Sequence, residues 1–119
     1  MKSMLKIVEA VATHTGVEPL AFYRPRRSTD AIADARALAS LIAVDHCGYS
    51  AAHAGREMKM HHTSVLSGLS RIHQKLPERE YLRDALSLAL LDLDLVEDEP
   101  FVRRVVPDDL LIQLQEIAA

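Results

Sequence analysis

Two adjacent histidines followed by two hydroxyls, His61, His62, Thr63 and Ser64, form a dense group of side chains that could do chemistry. Further candidates are His46, Cys47, His53 and His73 as metal ligands, Ser64 or Cys47 as a nucleophile, and the arginines Arg24, Arg26, Arg27, Arg36 and Arg71 as anion binders. Zinc sites present ligand pairs at tight spacing that face one another. Neighbouring positions on a helix point about 100° apart, so His61 and His62 are not expected to share an ion, and His53 lies across a break. No metal is expected. Nucleophilic catalysis needs a serine or cysteine beside a base with an orienting carboxylate, and neither G-x-S-x-G nor a comparable setting is present. No Gly-rich phosphate loop occurs. The reading is of a protein without enzyme activity or cofactor.

The elements that position these residues read as helices. Met4, Leu5, Ile7, Val8, Val11 and Ala12 recur at helical spacing, predicting a helix over 2–14 that Gly16 stops. VEPLAFY predicts a short second helix with Pro19 in its first turn. RPRR at 24–27 is expected on a loop, because Pro25 disfavours helix there. Ser28 or Thr29 caps a long helix running to Cys47, with Asp30 near its positive end, Gly48 past its stop, and a stripe of Ile32, Ala35, Leu38, Ala39, Ile42 and Ala43. Ser50 caps a short helix over 51–58, a break falls near Lys59 and Met60, and a helix over 61–75 ends at Pro77. A further helix is expected over 78–96, then an irregular segment between Pro100 and Pro107, then a final helix to the C-terminus. The fold class is all-α.

The totals agree with this. In 119 residues, 49% are hydrophobic and 26% charged, an ordinary balance for one helical globular unit, and aromatics at 4% leave the core to aliphatic side chains. One cysteine excludes an intrachain disulfide and fits a reducing compartment. No apolar stretch suits a signal peptide or a membrane anchor, so a cytoplasmic protein with no membrane partner is expected. The net charge of −3 conceals a split: ten Lys and Arg against six Asp and Glu in residues 1–76, and four against eleven in 77–119. That asymmetry suits a nucleic-acid-binding half with an acidic appendage.

A short helix over 51–58, a tight break and a helix from 61 predict a helix-turn-helix, in which the first residues of the second helix meet base edges. Those residues are His61, His62, Thr63 and Ser64, with Arg71 placed to reach the phosphate backbone and RPRR composed as an arm for a minor groove. At this level of detail the chain resembles the C-terminal DNA-binding domain of the bacterial replication initiator DnaA, a Trp-repressor-like helical fold. HHTSVLSGLSRI stands where that family carries DHTTVLHA…KI, and RPRR…ADARALASLI matches its basic loop followed by ARQ-x-A-x-x-L. IVEAVATHTGVEPLAFY matches its opening helix and short second helix, so residues 1–76 are covered.

The resemblance implies double-stranded DNA as the partner. It places Arg26 or Arg27 in the minor-groove loop, Arg36 as the long-helix arginine that contacts DNA, and His62, Thr63 and Ser64 on the recognition helix with Arg71 near its end. His61 replaces the family's acidic first residue, Ala37 replaces its glutamine after the helix arginine, and the turn is a residue shorter, without its glycine pair. No ATPase motif accompanies the domain, as in a stand-alone regulator or a mobile-element or phage protein. The alternative role is a protein-interaction module that kept the fold and binds a protein partner instead of DNA. Residues 77–119 form an acidic helical extension whose Leu82, Ala85, Leu86, Ala89, Leu90 and Leu93 share one face, with Leu88, Leu91 and Leu95 on a second. Such a helix must bury its apolar faces against its own domain, a second copy or a partner protein.

Overall fold

The computed structural model describes residues 2–24 and 29–95. Among them every regular element is helical: α1 Met4–Thr15, α2 Asp30–Leu41, α3 Ala51–Glu57, α4 His62–Lys75 and α5 Glu80–Asp92. The expected irregular segment after Pro100 and the final helix lie outside the described residues, as do Arg26, Arg27 and Ser28.

Local chemistry sets the helix ends. Ser3, Thr29 and Ser50 each hold an extended backbone, and each side-chain oxygen accepts an amide three residues on, from Lys6, Ile32 and His53 respectively. Each such cap satisfies an N–H that the helix cannot, and is worth about 1 kcal/mol. Gly16 closes α1 in the left-handed region at φ 74°, a conformation cheap only for glycine, and returns its N–H to Ala12. Between α1 and α2 the chain makes one tight 3-10 helix, Pro19–Tyr23, which buries Phe22 completely.

Met4, Ile7, Val8 and Val11 bury one face of α1, as their spacing predicts, whereas Leu5 points away from the core at 57% exposed. α2 is the central helix, and every residue from Asp34 to Ala43 is buried. It was expected to run unbroken to Cys47. Instead the α-helix ends at Leu41 and widens into a π-helical turn, Ile42–His46, before Gly48 at φ 79°. The Ala43 carbonyl accepts the amides of both Cys47 and Tyr49, and the Tyr49 hydroxyl donates to the Lys2 carbonyl at 2.8 Å, tying this turn to the start of the chain.

α5 packs chiefly on α1, while α4 packs on α2 and α3. Leu82, Ala85, Leu86, Ala89, Leu90 and Leu93 join the same buried cluster as Ile7, Leu38 and Ile72, and each full burial of a large aliphatic side chain stabilises by about 1.5–3 kcal/mol. His14 on α1 meets Asp92 on α5 at 2.6 Å. The second apolar face is not buried as the helical pattern requires: Leu88 and Leu91 are exposed, and only Leu95 leans on the core. No helix among the described residues is long and apolar enough to cross a membrane.

Candidate functional site

α3, a four-residue connection and α4 form one compact hairpin. Its geometry depends on Gly55, where the Met60 amide donates to the Gly55 carbonyl at 2.7 Å. A Cβ on Gly55 would lie 2.5 Å from the Met60 carbonyl oxygen, closer than real Cβ atoms approach a backbone, so no side chain fits. Lys59 takes the left-handed turn position at φ 57°, which disfavours a side-chain-bearing residue by roughly 1–2 kcal/mol. Met58 is fully buried beneath this turn.

His61 does not begin α4 as a helical residue. Its backbone is extended (φ −68°, ψ 146°), and its ring caps the helix, with Nδ1 accepting the Thr63 amide at 3.2 Å and lying 2.7 Å from the Thr63 hydroxyl. Because His61 is outside the helix, the expected divergence of the histidine pair does not occur. The rings of His61 and His62 lie against each other in a tilted arrangement, centroids 4.5 Å apart and inclined by 33°. His61, His62, Thr63 and Ser64 are all exposed, and Leu66 beside them is 52% exposed. The opposite face of α4 buries Val65, Gly68 and Ile72.

Arg36 departs most from expectation. The resemblance makes it the long-helix arginine that contacts DNA, a role that needs a reachable side chain; here it is 6% exposed, and Asp34 pairs with Lys75 at 2.8 Å. Its Nε and Nη1 atoms are buried without a hydrogen-bond partner. Burial and the nearby charge of Arg71 hold the Arg36 guanidinium below the usual arginine range. Both arginines line a cleft of about 460 Å³ between α2 and α4, with Lys59, His61, Ser64 and Ser67 around it. Its floor is bare of long side chains. A Cβ on Gly68 would be 3.6 Å from the Ala37 Cβ and 4.0 Å from Arg71 Nη2, ordinary van der Waals contact. Ala37 is 3% exposed at this approach.

The fold therefore gathers His61, Ser64, Arg36 and Arg71 around one cleft, with His62 and Thr63 on the outer side of the same helical turn. Arg24 is exposed after the 3-10 helix and does not line the cleft. Lys59, Ser67 and Gly68 went unrecognised in the sequence. Their signal is the pairing of small residues at helical spacing on two helices: Ala33, Ala37 and Ser40 on α2 with Ser64, Ser67 and Gly68 on α4. From Met58 to Pro77 the chain carries no acidic residue.

The remaining reactive side chains serve the framework. His53 approaches Glu57 at 3.5 Å and His73 approaches Asp45 at 3.6 Å. Cys47 is buried, and burial pushes its thiol up. Among the described residues, no three His, Cys, Asp or Glu side chains gather as a metal site would require. Comparison with known proteins adds no relative: no protein family and no curated protein matches this chain.

Proposed function

We propose that this chain binds double-stranded DNA, with α3, the turn and α4 acting as a helix-turn-helix, and regulates replication or transcription without an ATPase of its own. The observation that carries the reading is the first turn of α4. His62, Thr63 and Ser64 stand exposed beside a cleft holding Arg36, Arg71 and Lys59, in a stretch free of acidic residues. In this reading α4 enters the major groove by its N-terminus, where hydroxyl and imidazole groups reach base edges and exposed Leu66 can meet a thymine methyl. Arg71 and Lys59 contact phosphates, and exposed Arg24 supplies a further contact. The resemblance to the initiator's DNA-binding domain supports the same orientation.

The acidic residues of the described part of the extension do not oppose this. α5, with Glu80, Asp84 and Asp92, packs on α1, and α4 has α2 and α3 as its main neighbours. Fluorescence anisotropy of the full chain against random genomic duplexes, over a series of salt concentrations, tests the proposal. Binding should weaken linearly in log salt, and Arg71→Ala should lower that slope by about one. Thr63→Ala should weaken the selected sequence more than random duplex. Salt-independent or absent binding to every duplex, with neither variant changing it, would reject DNA as the partner.

A further inference from the structure

The cleft between α2 and α4 holds a charge that the protein itself leaves unanswered. Arg36 is 94% buried, its Nε and Nη1 reach no acceptor, and the neighbouring carboxylate of Asp34 is taken by Lys75 at 2.8 Å. Guanidinium nitrogens taken out of water without hydrogen-bond partners are disfavoured, leaving Nη2 as the atom free to meet a ligand, and a second guanidinium nearby adds repulsion. Arg71 is that second group, and Lys59 also lines the cleft. Among the described residues, no acidic side chain does. Ser64 and Ser67 contribute hydroxyls to one wall, and the Gly68–Ala37 floor leaves space that a longer side chain would fill.

We propose that this cleft is a binding site for one small free oxyanion of the phosphate class, gripped by Arg36 and Arg71 with the hydroxyls of Ser64 and Ser67. Arginine's planar fork matches two oxygens of such an anion, and Arg36 is already ordered and desolvated for it. The lowered proton affinity of Arg36 has the same two causes, burial and Arg71, and an anion in the cleft relieves both. Anion binding here does not require duplex DNA, but His61, Ser64 and Arg71 border both the cleft and the proposed DNA face, so an occupied cleft and a bound duplex compete for them.

The test is thermal unfolding of the full chain in inorganic phosphate and in sodium chloride at matched ionic strength, for wild type, Arg36→Met, Arg71→Ala and the remote control Arg79→Ala. Phosphate stabilises proteins generally by exclusion, so the informative quantity is the excess over the two cleft variants. Wild type and Arg79→Ala should show a Tm that climbs with the logarithm of phosphate concentration, as ligand linkage requires. That excess should vanish in Arg36→Met and in Arg71→Ala, and Arg36→Met should have the higher Tm in phosphate-free buffer because it removes the unanswered charge. Arg71→Ala changes an exposed side chain and keeps the test valid even if Arg36→Met folds poorly. An equal phosphate response in all four proteins overturns the proposal. A parallel series with duplex DNA separates the sources: stabilisation by duplex alone, lost in the same two variants, would assign the arginines to backbone phosphates and overturn a free-anion site. Phosphate binding without any duplex binding would uphold the cleft and remove the DNA reading.

Discussion

The α-carbon of Gly55 faces the carbonyl oxygen of Met60 so closely that an added Cβ would lie 2.5 Å from it. That approach lets α4 fold back against α3 after only four connecting residues. Gly55→Ala should therefore destabilise the protein by about 1–3 kcal/mol, the usual scale for forced overpacking, although alanine is the better helix former. Urea unfolding measures it. A stability equal to wild type would show that the hairpin can open at no cost.

His61 replaces a side-chain oxygen as the cap of α4, its Nδ1 accepting the Thr63 amide at 3.2 Å. His61→Ala should cost about 1 kcal/mol, and His61→Asp, which offers a carboxylate at the same place, should restore most of it. Denaturant midpoints and helical circular dichroism of the three proteins check this. If alanine matches histidine, the imidazole contributes no capping.

The Asp34–Lys75 contact joins α2 to the last turn of α4 at 2.8 Å, with Asp34 buried and the Tyr81 hydroxyl a longer 3.5 Å away. Removing the lysine alone leaves a buried carboxylate with one weak donor. Lys75→Met should cost about 1–3 kcal/mol, and adding Asp34→Asn should recover part of the loss. A double-mutant cycle by chemical denaturation reads the coupling, and strict additivity of the two changes would show the pair to be uncoupled.

Stability should fall in alkali. Burial pushes up the Cys47 thiol, and it pushes up the phenols of Tyr49 and Tyr23, with Glu57 adding to both tyrosines. Raised values mean that the folded protein keeps protons the unfolded chain releases. This contribution is complete below the ordinary thiol value of about 8.5 and is lost as pH rises through the raised folded values. Urea midpoints should hold steady to about pH 8 and then decline, and Cys47→Ala should delay the onset, leaving the later part due to the tyrosines. A midpoint unchanged through the thiol and phenol range contradicts the assignment.

Much of the helical framework is legible in the residues because its signals are local. Ser3, Thr29 and Ser50 cap within three residues, Gly16 and Gly48 take the left-handed positions, and the stripes of α1 and α5 follow helical spacing. The candidate site was legible only in part. The hydroxyls and histidines at the start of α4 stand exposed, as their polarity suggests, but His61 as a cap and the tilted contact of its ring with His62 depend on the chain's path through the turn. Leu5, Leu88 and Leu91 show the same limit in reverse: helical spacing marks them as apolar, and the available neighbours leave them exposed.

What the sequence by itself determined is the all-helical class, most helix ends and the polar first turn of α4, since each follows from hydrogen bonds and periodicity within four or five residues. Only the tertiary structure decided which charges meet. Asp34 chooses Lys75, 41 residues away, over Arg36 two positions along its own helix. Residues two apart on a helix face different directions, and the packing of α4 on α2 brings the lysine to the carboxylate. The same packing buries Arg36 beside Arg71 at the lining of the cleft, with its Nε and Nη1 unpartnered.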